Sequence, residues 1–201
     1  MSDGRALLRA RMSVRRNELS AKQRITAAAG ALHSLEALPE FMTDRNVAGY
    51  WAIRGELPLN LAVAALRRRE QHYFLPVLGA AHQLRFAELV AGAALKNDSY
   101  GIPEPDVPAA SLLGPRDMDV ILLPLLAFDR AGHRIGTGGG WYDRSLAFLK
   151  SAPRPAAPIL VGIGYAFQEV ADVPCAEWDV PLDYVATDAG LLACDTAQAQ
   201  P

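Results

Sequence analysis

The segment FDRAGHRIGTGGGWYDR, from Phe128 to Arg144, gathers the residue types that hold a phosphorylated ligand. Gly136, Gly138, Gly139 and Gly140 free the backbone for positive φ and let a ligand approach where a Cβ would intrude. A helix beginning at WYDR would turn its unpaired N–H groups and the positive end of its dipole toward an anion. Arg134 and Arg144 can add charge-assisted bonds to phosphate oxygens. Asp143, at the edge of the loop, offers oxygen to a hard cation such as Mg²⁺. Tight turns also need glycine, so three consecutive glycines do not by themselves separate a turn from a ligand site. The flanking arginines, the Trp141-Tyr142 pair and the acid favour the ligand. GTGGGW lacks the Gly-Lys-Ser/Thr ending of a Walker A loop, and its glycine spacing does not fit a dinucleotide fingerprint.

The elements around this loop follow from periodicity. Val120–Phe128 is a continuous apolar run that predicts a strand buried on both faces, and Leu146 and Leu149 recur at helical spacing after the loop. Upstream, GRALLRARMSVRRNEL predicts a basic first helix, and Ser20 caps a second that runs to about Leu38. NVAGYWA reads as a strand, GELPLNLAVAALRRRE as a turn and helix, and YFLPVL and LRFAEL as two strands joined through LGAAHQ. Lys96–Gly114 is Pro-rich and polar and reads as a loop. ILVGIGY and Asp183–Thr187 supply the last strands, and the tail after about residue 190, ending in an Ala/Gln run, is expected to fray. Strands alternating with helices predict an α/β three-layer sandwich, with a mostly parallel central sheet covered by helices on both faces.

Bulk properties narrow the class. The 201 residues are most simply one domain, 51% hydrophobic and 21% charged with net charge −2, an ordinary balance for a globular protein. No apolar stretch approaches the roughly 20 residues of a membrane helix, and the Arg-rich start lacks the apolar core of a signal peptide. A cytoplasmic protein is expected, a monomer or weak homodimer without a membrane or nucleic-acid partner. Cys175 and Cys194 form no disulfide framework, and the histidines are scattered, so a zinc site is disfavoured.

Other groups have a plain reading beside a chemical one. The basic first helix reads first as a solvated face, with a phosphate contact as the alternative. Trp51 and Glu56 follow a strand end, where α/β sheets place ligand groups, although by type alone Trp51 suits a core and Glu56 a wet surface. Asp179 and Asp183, four apart near the chain end, are by default surface charge or caps.

GHRIGTGGGWYDR, with LLPLLAFD before it and VGIGYAFQEV and VPCAEWDVPLDYVAT after it, resembles the 5-formyltetrahydrofolate cyclo-ligases, also called methenyltetrahydrofolate synthetases. The resemblance runs along the whole chain; the glycine loop and the D-x-x-x-D ending are its specific parts. It implies an ATP- and Mg²⁺-dependent enzyme that converts 5-formyltetrahydrofolate to 5,10-methenyltetrahydrofolate, releasing ADP and phosphate through a phosphorylated formyl group closed by N10. It implies nucleotide contacts from Arg5, Arg9, Arg134, Ile135, Gly136, Thr137, Gly138, Gly139, Gly140, Trp141 and Tyr142. Folate contacts would come from Trp51, Glu56 and Tyr100 together with Thr137 to Trp141, and Mg²⁺ ligands from Asp143 and Asp179. Glu56, Arg134 and Asp143 would be the catalytic residues. This chain departs from the family pattern at Arg5, where many members have Lys, at Trp178, where His is frequent, and at Thr137 and Gly139, which are basic in some relatives. Two other classes compete with this reading: a related α/β enzyme such as a sugar-phosphate isomerase or CoA transferase, and a non-catalytic folate- or nucleotide-binding descendant.

Overall fold

The structure, a computed structural model, describes residues 2–151 and 153–195. The chain opens with α1 (Ser2–Asn17), α2 (Ala21–Glu36), a short α3 (Pro39–Thr43), β1 (Asn46–Ala48), α4 (Asn60–Arg68), β2 (His72–Leu78) and β3 (Leu84–Glu88). It continues with β4 (Leu95–Asn97), β5 (Pro103–Pro105), β6 (Val120–Pro124), β7 (Ala127–Phe128), β8 (Arg134–Ile135), α5 (Trp141–Leu146), β9 (Ile159–Ile163), β10 (Tyr184–Thr187) and β11 (Gly190–Ala193). Among the described residues, seven strands form one sheet in the order β11-β10-β9-β6-β1-β2-β3. The five inner strands are parallel, and β3 and β11 run antiparallel at the edges. The predicted α/β sandwich is thus the observed architecture.

Alternation along each strand fills two cores. Val47, Tyr73, Leu75, Val120, Leu122, Ile159, Val161 and Ile163 face α2, α3 and α4. Ala48, Phe74, Ile121, Leu123, Leu160 and Val185 face the other side, where Leu146 and Leu149 cover them. Two hydrophobic faces per strand explain why β6 and β9 read as unbroken apolar runs. Helix α2 begins where the sequence predicts: Ser20 Oγ accepts the Gln23 N–H at 3.3 Å, and Gln23 Oε1 accepts the Ser20 N–H at 2.9 Å, a reciprocal capping box. Helix α1 lies on neither sheet face. Its Leu8 and Met12 pack on Leu126, Ala127, Ile135 and Val173, which places it across the end of the sheet.

Four expectations are corrected. The run Val120–Phe128 is two strands: β6 stays in the sheet, whereas β7 leaves it to pair with β8 in a separate antiparallel hairpin. Leu125 lies between them, and its side chain occupies the space left by Gly162 and Gly164 on the neighbouring strand and its exit. The strand read from NVAGYWA stops at Ala48. The Pro-rich stretch holds a small two-stranded sheet, β4 with β5, turned by Asp98, whose Oδ1 accepts the N–H groups of Tyr100 and Ile102. Residues just beyond 190 do not fray, because β11 pairs with β10 over four residues; the tail past Asp195 lies outside the described residues.

Candidate active site

The strand order sets a switch point between β1 and β6: the chain leaves β1 for β2 on one side, while β6 is followed by β9 and β10 on the other. Loops at the carboxyl ends of such strands form a crevice where α/β sheets bind ligands. The β1 exit, Gly49 to Glu56, and the β6 exit, Leu125 and Leu126, both open here. Arg54 and Gly55 take left-handed φ of 48° and 76°. This reversal folds Glu56 back so that Ile53 N–H donates to its Oε2 at 3.0 Å. Glu56 is only 8% exposed, and burial raises its carboxyl above the usual range, against the lowering pull of the Ile53 N–H, Arg16 and Arg54.

The glycine loop is the second half of the site. Gly138 and Gly140 have φ of 103° and 66°, and Gly140 is the residue from which α5 starts. At Gly139 a Cβ would come within 2.8 Å of Trp141 Cδ1, so only glycine lets the indole fold over the loop. Arg9 of α1 donates from Nε to the Gly136 carbonyl at 3.0 Å, and Arg144 donates to the Gly139 carbonyl at 2.8 Å. Thr137, Gly138 and Gly139 are exposed. Helix α5 is six residues long before it tightens into a 3-10 turn, so its dipole is smaller than a long helix would supply. An anion at this loop would be met mainly by the loop N–H groups and the arginines.

Two ion pairs brace the loop. Arg134 is buried at the start of β8 and donates from Nη2 to Asp143 Oδ1 at 2.7 Å; its Nη1 donates to the Val180 carbonyl. Val180 N–H returns a bond to the same Asp143 oxygen at 3.2 Å. One residue earlier, Asp179 accepts from Arg5 Nη1 at 2.6 Å and from the Ala176 N–H at 2.9 Å. Arg5, Arg9, Arg134, Asp143 and Asp179, distant in sequence, are therefore brought around one loop. Among the described residues, no group of three or more His, Cys, Asp or Glu could hold a metal. A hard cation resting on Asp143 and Asp179 would need its other oxygens from water and phosphate, the habit of Mg²⁺, and the donor types fit it.

Tyr142 joins the halves. Burial, and then the charge of Glu56, push its phenol well up, while Arg134 pulls it down; Glu56 and Arg134 thus act on one ring from the two sides. Trp141 lies against His82, ring centroids 5.0 Å apart. Trp51 stands at the β1 exit, 39% exposed, and Tyr100 sits at the tip of the β4–β5 hairpin, 61% exposed. Neither makes a ring contact with the other site residues among those described. Two concavities of about 370 and 350 Å³ lie away from the glycine loop, one lined by His72, Glu88 and Val90, the other by Lys22, Tyr165 and Phe167. The geometry of the arginines and carboxylates, rather than cavity size, marks the site.

Residues 1–188 match the model of the 5-formyltetrahydrofolate cyclo-ligase family. The chain belongs to that family. A 5-formyltetrahydrofolate cyclo-ligase of Haemophilus influenzae is 33% identical over 152 residues, 75% of this chain and 79% of its own. The cyclo-ligase of Escherichia coli K12 is 32% identical over 178 residues, 86% of this chain and 94% of its own. Among solved structures, the 5,10-methenyltetrahydrofolate synthetase of Aquifex aeolicus superposes with a TM-score of 0.78 at 29% identity, covering 94% of this chain and 92% of its own. The cyclo-ligase family assignment agrees with the resemblance drawn from the glycine loop and the chain ending.

Two residues at the site escape the sequence reading, Arg16 and His82. Arg16 is 3% exposed and reaches from α1 to Arg54 O at 3.1 Å, to Leu125 O at 3.4 Å and to within 4.0 Å of Glu56 Oε1. Its signal was present: Arg5, Arg9, Met12 and Arg16 are spaced four, three and four apart, one stripe of a helix. His82 had no such signal, since it meets Trp141 only through the β2–β3 hairpin.

Proposed function

We propose that the protein closes 5-formyltetrahydrofolate to 5,10-methenyltetrahydrofolate with ATP as co-substrate, releasing ADP and phosphate. The observation that carries this reading is the convergence of Arg9, the Arg134–Asp143 pair and the Arg5–Asp179 pair on one exposed glycine loop, in a chain of the cyclo-ligase family.

The formyl oxygen of an N5-formamide is a poor leaving group. In the proposed sequence this oxygen attacks the γ-phosphorus of ATP and the bond to the β-bridging oxygen breaks. The N10 lone pair then adds to the activated carbon, N10 gives up its proton, and the formyl oxygen departs with phosphate. The product cation is shared between N5 and N10. Because the substrate brings N10 to the carbon itself, the protein's task is positioning and charge neutralisation, and no covalent nucleophile is required.

Each group has a part in that task. Arg9 and the N–H groups of Gly136 to Gly140 would hold phosphate oxygens, and Arg134 would fix Asp143 at the loop edge. Mg²⁺ on Asp143 and Asp179, when bound, would offset charge on the transferring phosphoryl group. Glu56, held in place by Ile53 N–H, would accept hydrogen bonds from the pterin around N5. Trp51, Tyr100, Trp141 and Tyr142 would give flat surfaces to the pterin and the nucleotide base.

The test mixes protein, 5-formyltetrahydrofolate, Mg²⁺ and ATP and follows the near-ultraviolet absorbance of the methenyl product, with ATP omitted as control. ATP-dependent growth supports the reading. Silence from folded protein overturns it in favour of a binding-only role or a related reaction.

A further inference from the structure

We propose that Arg16 is a positioning residue for the folate half of the site: it clamps the Arg54–Glu56 turn to the end of β6 and so fixes where the Glu56 carboxylate stands. This rests on the folate reading above for what Glu56 touches, but the clamp itself stands on geometry.

Three features set Arg16 apart from the other arginines of α1. It is almost completely buried, at 3% exposure, and arginine is buried only when its charge and donors are used. Its partners are two backbone carbonyls from different loops, Arg54 O and Leu125 O, which are the exits of β1 and β6 on either side of the switch point. A flat guanidinium fork spans two such acceptors; a lysine ammonium on one flexible stem does not hold both in a fixed geometry. Finally, the carboxylate it neighbours is near but not tightly paired, at 4.0 Å. Glu56 Oε2 is taken by Ile53 N–H, while Oε1 faces Arg16 without closing a short bond. That leaves Oε1 as an acceptor for a ligand with its counter-charge already in place.

The surroundings make this arrangement selective. The groups that face Glu56 are Arg16 from α1, Arg54 from its own turn, and the phenols of Tyr50, Tyr142 and Tyr165, which follow β1, lie in α5 and follow β9. The phenols are held neutral, because burial raises each of them. Arg16 and Arg54 are therefore the cations beside this acid, and Arg16 is the one anchored from outside the turn. Gly55 completes the clamp, since a Cβ there would stand 3.2 Å from Arg16 O. Through the same stripe of α1, Arg5 and Arg9 hold the nucleotide side, so one helix sets the spacing between the two halves.

The test compares Arg16→Met, Arg16→Lys, Glu56→Gln and the Arg16→Met/Glu56→Gln double variant. Arg16→Met is expected to lower kcat/KM for 5-formyltetrahydrofolate on the order of 30-fold, as losing charged hydrogen bonds does, with KM for ATP nearly unchanged. Lys at this position recovers only part of the loss. The double variant is no worse than Glu56→Gln alone. Equal rises in KM for both substrates, or losses that add, would mean that Arg16 only supports the fold, and would overturn the proposal.

A second readout needs no turnover. The Glu56 carboxyl carbon, assigned in ¹³C NMR by its disappearance in Glu56→Gln, should titrate at higher pH in Arg16→Met and Arg16→Lys than in the wild type if the clamp places the cation beside it. An unmoved midpoint in both variants overturns the clamp. If wild-type protein makes no methenyl product, the folate reading fails while the titration still judges Arg16; Arg16→Lys serves where Arg16→Met does not fold.

Discussion

Asp143 Oδ1 accepts from both Arg134 Nη2, at 2.7 Å, and Val180 N–H, at 3.2 Å, so one carboxylate oxygen ties the start of the glycine loop to the segment carrying Asp179. The loop lies between these two residues of a buried-edge ion pair and inherits its shape from them. Arg134 is thus a strut as well as a candidate phosphate ligand.

Asp143→Asn is therefore predicted to separate charge from scaffold. The amide oxygen still accepts from Arg134 and Val180, so the fold should persist with a loss of about 1–3 kcal/mol. The negative charge is gone, and turnover should fall on the order of 100-fold or more, the size of losing one preorganised electrostatic group. Thermal melts and the methenyl assay read the two effects. An unfolded variant would make the acid structural, and an active one would remove it from the metal site.

The glycines of the loop are predicted to differ among themselves. Gly138 sits at φ 103°, where any L side chain is strained, and Gly138→Ala should cost about 1–2 kcal/mol. Gly136 has no left-handed φ, and a Cβ there meets nothing within 4 Å. Gly136→Ala should leave the melting temperature of the free protein unchanged or slightly higher. Comparing melts of the two variants checks the claim, and equal losses would contradict it.

Much of this was legible in the sequence, and the gaps share a cause. Ser20 as the cap of α2, the strand runs YFLPVL and LRFAEL, and the loop glycines are local signals, and the structure follows them. The break after Pro124 was invisible because Leu125, Leu126 and Ala127 are as buried as the strand before them. Periodicity records burial, not which partner provides it. Strand β11 was hidden by a short turn in which Thr187 Oγ1 accepts the Ala189 N–H at 3.1 Å and donates to Gly190 O at 3.1 Å. Arg16 was masked by its neighbours: in an arginine-rich helix, composition points to solvent, and only the stripe it shares with Arg5 and Arg9 distinguishes it. The pairing of Arg5 with Asp179 is a tertiary fact with no local trace.

Glu56 gives a pH prediction whose sign follows from burial. Its folded carboxyl is raised above the unfolded value, so its contribution to stability is greatest below the unfolded pKa of about 4.3. That contribution is lost as pH rises through the elevated folded pKa. Glu56→Gln removes the cost of keeping a buried carboxylate charged, while Arg16 keeps both of its carbonyl partners. The variant should melt above the wild type near neutral pH, with the gain shrinking to nothing as pH falls toward 4, and its turnover should fall on the order of 100-fold, to a level that can still be measured. A variant less stable than the wild type near neutral pH, with the deficit vanishing toward pH 4, would show that the Arg16–Glu56 attraction outweighs burial.

Arg9 should report on the nucleotide half alone. It donates from Nε to Gly136 O, and its guanidinium lies 3.8 Å from where a Cβ on Gly138 would stand, so it shapes the loop and adds charge to it. Arg9→Met keeps an aliphatic stem of similar length and removes both functions. KM for ATP should rise by about tenfold, the cost of one charge-assisted contact, while KM for 5-formyltetrahydrofolate stays within about twofold, because Glu56 and Arg16 are untouched. Arg9→Lys should fall between the two, since an ammonium keeps the charge without the fork that reaches the Gly136 carbonyl and a phosphate together. Steady-state kinetics with each substrate varied in turn measures the split. A rise confined to the folate KM would place the nucleotide elsewhere than on this loop.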